Sequence, residues 1–426
     1  MLSPDQMREV PEAAVRLYLG ARATPAAGGW ELELDGRTTS VSAQVFAHAK
    51  EAARFLQIRP RNIEYASDVL QLRHDAEDHF LERLVGRKEI PQVLFVPAGD
   101  MASAFYRARL PADVLHDRGL AVSHYTMKLD LSKAVKYQVL WVQLVTAPIL
   151  TAICEECKRA GIRVVYDFDD RFDAVLPDNP AAAVYVEQKR AEVWGMIELA
   201  DVVTVSTRAL AEHVRGRAKD VRVLPNHIPA SIWPRRGEPD PDVTRILWAG
   251  SPTHKRDLGV AAPAIARVLG RHNGKVRFTC FGERIPAALA SSAAHVDLMD
   301  FVSFEDYADA LAKVRADVAI APLEANEFNS GKSAVKVLEY GASGYPVFCS
   351  PVGEYPEAKE GGAPIGLVDD GDWEEVLEFS VANKGLMADI GGKLQSWVVQ
   401  NRCLVKKNAS PWLEVAKELV SPKAHA

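Results

Sequence analysis

Lys332, Lys336 and Glu339 stand at i, i+4 and i+7 in GKSAVKVLEYGASG, a spacing that puts all three on one face of a helix over Lys332–Tyr340. Two ammonium groups near the positive end of a helix suit a diphosphate. A carboxylate one turn further on can accept hydrogen bonds from a ribose diol. A second basic group, His254, Lys255 and Arg256 in SPTHKRD, also opens a helical pattern. Like charges gathered without a counter-ion repel, so two such entrances in one half of a chain call for an anion. A third group is acidic. RVVYDFDD sets Asp167 and Asp169 on one side of a strand end and Asp170 on the other. Three readings fit it: the nucleophile and magnesium site of a phosphatase, carboxylates lining a sugar-binding cleft, or caps of the following segment.

The surrounding elements decide how much weight these groups carry. Asp317–Pro322 is a β-branched apolar run suited to a strand buried on both faces, followed by a polar loop over Glu324–Gly331. Gly341 and Gly344 supply a helix stop, and Tyr345–Cys349 reads as the next strand. The lysines therefore fall at the carboxyl end of a buried strand, where open α/β sheets bind ligands. Gly331-Lys332-Ser333 looks like the tail of a P-loop, but Asn326 stands where that motif requires glycine. The basic SPTHKRD loop follows a strand over Arg245–Gly250, and Val276–Gly282 is the next strand, its glycine suited to close backbone approach.

Earlier in the chain, strands are expected at Gln92–Val96, Gln138–Val145, Arg163–Asp167, Asp201–Ser206 and Val221–Leu224, alternating with helices as in parallel α/β architecture. Arg107, in the loop after the first of these, could bind an anion from across a cleft. IPASIWPRRGEPDPD over Ile228–Asp242 reads as an interdomain linker. Before residue 89, Trp30–Ser42 alternates around Asp35-Gly36 as a hairpin, and Ala43–Leu56 and Ile63–Val85 read as helices. The expected division is an appendage over 1–88, an acceptor domain over 89–230, a nucleotide-sugar domain over 231–405, and a C-terminal helix over 406–426 packing back on the first domain.

Composition narrows the class. The 426 residues carry a net charge of −6, which gives no overall basic field for nucleic acid or anionic membrane. Met1–Ala14 has no apolar core of a secretory signal, and the longest apolar run, Val139–Ile153, is broken by Gln143 and Pro148. Five cysteines argue for a reducing cytoplasm, and the lone CxxC of Cys154 and Cys157 lacks the second pair of a zinc site.

At this point the motifs DVVTVST with VRVLPN, ILWAGSPTHKRDL, and ADVAIAPLEANEFNSGKSAVKVLEYGASGYPV resemble the retaining glycosyltransferases of family four, which have the GT-B fold. The resemblance implies two Rossmann-like domains facing each other across a cleft. It also implies a diphosphate held by the Lys255/Arg256 region with Lys332 or Lys336, and a ribose on Glu339. The family's first glutamate falls on Gly331, so Glu324, Glu327 or Asn329 takes that role. The histidine that the family places near the donor sugar has no clear match, and Asp169 or Asp170 occupies that area.

Residues and resemblance together assign Gly250, His254, Lys255, Arg256, Gly282, Asn329, Ser330, Gly331, Ser333 and Glu339 to donor binding. Asp169, Asp170, Lys332 and Lys336 are assigned to the reacting centre. The expected reaction moves a hexose from a UDP- or GDP-linked donor to an acceptor hydroxyl with retention, without a cofactor or metal because lysines neutralise the phosphates. A glycan or lipid-linked acceptor is the default, with peripheral membrane contact at its inner face. Arg215, Arg217, Lys219 and Arg222 could instead line a DNA strand carrying a hydroxymethylated base, as in phage-type enzymes. An epimerase of this fold or a non-catalytic sugar-nucleotide sensor are readings of another class.

Overall fold

In the computed structural model the described residues are 21–56 and 91–420, apart from 35–36, 100, 118–120, 126–128, 130, 230–232, 283–285 and 405–407, with isolated positions before residue 21. The expected helix over Ile63–Val85 lies outside them.

A small antiparallel sheet comes first: β1 (Arg22–Ala26), β2 (Gly29–Leu34) and β3 (Arg37–Ser42). Leu34 pairs with Arg37, which is the register of the expected two-residue hairpin. Helix α1 (Ala43–Leu56) follows, and Phe46 stacks on Trp30 with ring centroids 4.1 Å apart. This hairpin contributes Leu32 and Val41 to the apolar cluster that runs on into the first domain.

Two parallel six-stranded sheets then carry the chain. The first joins β4 (Gln92–Val96), β5 (Val122–Tyr125), β6 (Val139–Gln143), β7 (Arg163–Phe168), β8 (Val202–Val205) and β9 (Val221–Val223) in the order 5-4-6-7-8-9. The second joins β10 (Thr244–Ala249), β11 (Val276–Phe281), β12 (Val296–Met299), β13 (Val318–Ala321), β14 (Val347–Cys349) and β15 (Gly366–Leu367) in the order 12-11-10-13-14-15. Both orders reverse direction beside a central strand, the arrangement that opens a crevice at the carboxyl ends of the strands.

Period-two alternation sorts the strand side chains into two faces. Leu94, Val96, Leu140 and Val142 pack on one side of the first sheet, while Val93, Phe95, Val139 and Trp141 pack on the other. The second sheet repeats this, with Ile246 and Trp248 on one face and Leu247 and Ala249 on the other. Both faces are covered, so the strands read as unbroken apolar runs.

Four helices matter for the site: α2 (Lys255–His272) after β10, α3 (Phe304–Lys313), α4 (Val335–Ala342) after β13, and α5 (Lys384–Asn401). Gly341 lies inside α4 rather than ending it. A Cβ there would approach Leu394 and Val398 to 2.8 Å, so the missing side chain is what lets α5 close on α4. The stop comes from Gly344 at φ +82°, followed by the Tyr345 N–H donating to Tyr340 O at 3.0 Å. Helix α6 (Ser410–Val420) sets Trp412 against His227, with ring centroids 5.5 Å apart, and Glu418 accepts from Arg222 at 2.8 Å. Among the described residues no helix is long and apolar enough to cross a membrane.

Candidate active site

The carboxyl edge of the second sheet faces the first domain. Gly250 and Gly282 sit side by side where β10 and β11 end. Gly250 N–H donates to Phe281 O at 3.0 Å, and a Cβ on Gly282 (φ +90°) would lie 2.5 Å from Gly250 O. No larger residue fits that second position, so the strand ends present bare backbone.

The lysine loop departs from the sequence expectation. A short helix covers Glu327–Ser330, and α4 begins only at Val335, so Lys332 is not on the helix that carries Lys336 and Glu339. The cause is Glu354. Its buried carboxylate accepts the Ala334 N–H at 2.8 Å, and its own N–H donates to Lys332 O at 2.9 Å, holding Lys332–Ala334 as a loop. Arg402 donates to the same carboxylate at 2.6 Å. The start of α4 is thus already matched to a protein anion.

Freed from the helix, Lys332 reaches the first domain, where its Nζ lies 2.7 Å from Asp170 Oδ1, and its ammonium sits 4.4 Å from the centre of the Phe328 ring. Lys336 donates to Glu339 Oε2 at 3.2 Å and to the Tyr307 hydroxyl at 3.1 Å. Burial works against its charge, but Glu339 and Tyr340 outweigh it and hold the ammonium above the usual lysine range. Glu339 is 4% exposed, and Tyr106 of the first domain donates to its Oε1 at 3.2 Å. Burial, reinforced by Glu339, pushes the Tyr106 phenol well up, so it serves as a donor.

At the other entrance the three expected cations separate. Burial, with Lys332 and Lys336 pushing the same way against Asp257, holds His254 below the ordinary histidine range. It is therefore neutral at pH 7, with Nδ1 2.8 Å from Asp257. Arg256 forms a two-pronged pair with Glu324, at 2.9 and 2.7 Å, and reaches Asp178 of the first domain at 3.2 Å. Lys255 is exposed. Asp257, 4% exposed, also accepts from Asn329 Nδ2 at 2.6 Å and from Glu324 N–H at 3.0 Å.

On the facing side, the acidic strand end divides by depth. Asp167 is fully buried and paired with Arg107 at 3.0 and 2.6 Å; Thr204 also donates to it at 2.7 Å. Arg107 is therefore not a loop cation waiting for an anion. It lies wholly buried in a π-helical turn over Phe105–Arg109, and breaking such a pair typically costs about 3–5 kcal/mol. It also donates to Asn226 Oδ1 at 3.1 Å, and Asn226 Nδ2 donates to Ser333 Oγ at 2.9 Å, which ties the first domain's floor to the lysine loop. Asp169, half-buried, is pushed up to about 7 by burial and by Asp170, against Arg107 and Lys332.

Gly331 makes close contact between domains possible. A Cβ there would fall 2.8 Å from Leu210 and 2.9 Å from Arg171, and Thr207 Oγ1 donates to Gly331 O at 3.3 Å. Ser330 turns its hydroxyl back onto Glu327 O at 2.7 Å. The four basic residues proposed for a DNA face are engaged locally: Arg215 with Glu212, Arg217 with Glu198, Arg222 with Asp220 and Glu418, and Lys219 on Leu199 O. That expectation is corrected; they form no free basic stripe.

Tyr106, Asn226, Asp257 and Glu354 were not singled out from the sequence. Glu354 alone had a local signal, as the carboxylate after the helix-breaking Gly353.

Two parallel sheets of these orders, with site residues along their facing edges, define the GT-B architecture. Residues 243–381 match the family model described as glycosyl transferases group 1, so through its second domain the chain belongs to that family. The sucrose-phosphate synthase of Thermosynechococcus elongatus superposes with TM-score 0.53 at 12% identity, over 78% of this chain and 99% of that one. Alr3699/HepE of Anabaena, solved in complex with UDP, gives TM-score 0.53 at 13% identity, over 77% of this chain and all (100%) of that one. TarM aligns at 12% identity with TM-score 0.47, and the chain spans 59% of its length. Among curated proteins no relative is found by sequence.

Proposed function

We propose that the protein is a retaining glycosyltransferase that moves a hexose from a UDP- or GDP-linked donor to an acceptor hydroxyl. The observation that carries this reading is the gathering of Lys332 and Lys336 beside Glu339, within the group 1 segment and opposite Asp169 and Asp170. The two lysines match the charge that builds on a departing diphosphate, and Glu339 suits the ribose diol.

In the proposed step the bond from C1 to the diphosphate oxygen breaks and the acceptor oxygen bonds C1 on the same face. The acceptor proton passes to the departing phosphate oxygen, so charge and atoms balance without a strong protein base. The transition state has oxocarbenium character. In the described conformation the site groups satisfy one another, Lys332 with Asp170 and Glu339 with Tyr106. The donor takes over these partners as it enters, and water is kept from the reacting carbon once the domains close around it.

The test is binding followed by turnover. Wild type should bind UDP or GDP and transfer the sugar with its anomeric configuration kept, read by proton NMR of the product. Lys336→Ala and Glu339→Ala should lose nucleotide affinity by at least about tenfold. If both bind UDP and GDP as tightly as wild type, the donor site is misassigned. Turnover of a nucleotide sugar with no acceptor present, giving an isomerised sugar nucleotide, would make it an epimerase instead.

A further inference from the structure

Beside the Phe328 ring that carries the Lys332 ammonium, a cavity of about 320 Å³ lies between the domains. Small-molecule sites run from roughly 300 to 1,000 Å³. The first domain lines it with Asp178 and Asn179, the second with Lys255, Glu324, Asn326 and Asn329. Asn179 Nδ2 donates to Thr253 O at 3.3 Å, which pins the two walls together.

The lining does not suit a phosphate. Its carboxylates, Asp178, Asp257 and Glu324, outnumber its cations, Lys255 and Arg256, and Arg256 is already held by two of those carboxylates. What remains is a mixture of carboxylate and amide groups with one exposed ammonium. Sugar hydroxyls, which both donate and accept, match that mixture. Leu176, Pro180 and Phe328 add apolar surface for the C–H face of a pyranose ring. One buried group is also left over: Asn329 Oδ1 has no hydrogen-bond partner, although its Nδ2 donates to Asp257 and to Glu324 O. A buried acceptor without a donor is costly, and a ligand hydroxyl would satisfy it.

We propose that this cavity seats the terminal sugar ring of a saccharide acceptor, an inference that rests on the glycosyltransferase reading above. The choice of acceptor over donor sugar comes from the rim. Asp178, Pro180, Lys255 and Arg256 are all exposed, so a longer glycan can run outward, whereas an activated donor carbon must be shielded from water. The same carboxylate excess repels a nucleic-acid backbone.

The experiment uses the full chain with saturating UDP and millimolar methyl α- and β-hexopyranosides of the gluco, galacto and manno series, read by saturation-transfer NMR. At least one glycoside should receive saturation, and Asp178→Ala and Glu324→Gln should each weaken that signal at least fivefold while UDP affinity stays within twofold. No signal from any glycoside, or signals untouched by both substitutions, overturns the proposal. So does displacement of the glycoside by UDP-glucose but not by UDP, which would give the cavity to the donor's hexose. Failure of UDP and GDP to bind before any glycoside is added would instead sink the glycosyltransferase reading itself.

Discussion

Two helix entrances in the second domain look alike as sequence, each with basic residues after a buried strand, yet the folded chain treats them oppositely. At the start of α2, Arg256 lies half-exposed on the surface, bound to Glu324 and Asp178, and His254 is neutral. At the start of α4, Lys332 and Lys336 are largely enclosed, with side chains 18% and 24% exposed, and face groups of both domains. The difference lies in who supplies the counter-charge. The first entrance is matched by exposed carboxylates; the second is matched by Asp170 and by a buried Glu339, the two groups that a substrate would address. A run of cations therefore signals an anion site only where the protein's own partners sit in the cleft.

Lys332→Ala gives the sharpest test of that contrast. If the lysine acts on the leaving diphosphate, turnover should fall about 10²–10³-fold, the usual loss for one preorganised donor. Its pair with Asp170 is part-exposed, so stability should move by only about 1 kcal/mol. A merely structural lysine would show the reverse: little change in kcat and a clear drop in melting temperature.

Glu339→Gln comes next. It leaves the Lys336 ammonium in a largely enclosed site without its carboxylate, at a cost of about 2–3 kcal/mol, somewhat less than for a fully buried pair. Calorimetry should show the second domain melting roughly 5 °C lower or more. An unchanged melting temperature would put Lys336 in contact with solvent and erase the distinction between the entrances.

How much of this was readable beforehand follows from range. Long apolar strands announce themselves, and both sheets and the hairpin register were legible in Gln92–Val96, Arg163–Phe168 or Arg245–Gly250. The strands that sequence reasoning passed over are edges. β5 (VSHY) is short and polar, β1 (RATPA) is mostly exposed and contains Pro25, and each exists because a neighbouring strand offers it a ladder. In the site, the types and positions of Lys332, Lys336 and Glu339 were legible, but their geometry was set from afar. Glu354 shortens α4 from the far side of β14, and Arg107 finds Asp167 sixty residues on. No local spacing encodes such partners.

Asp169 carries the comparison across to the facing domain. Its carboxyl is raised from 3.8 to about 7, so the folded protein holds that proton where the unfolded chain has lost it. Stability from this group is full below about pH 4 and is lost as pH climbs to about 7. Asp169→Asn keeps the shape without the titration. It should melt higher than wild type at pH 8 by an amount worth about 1–2 kcal/mol, with the gap closing towards pH 4. Parallel melting curves at every pH would mean that Asp169 is not pressed against Asp170 in the closed cleft.

The smallest effect is expected at the outer entrance. Arg256→Ala removes both of the arginine's ion pairs, but they lie at the surface, where water and salt already screen them and ordering two long side chains offsets the attraction. Melting should shift by no more than about 2 °C, UDP or GDP affinity by less than about threefold, and both changes should fade in high salt. A loss of nucleotide affinity as large as that of Lys336→Ala would mean that Arg256 leaves Glu324 for the diphosphate when the donor arrives. The two entrances would then be one anion site, described here before its second half has turned inward.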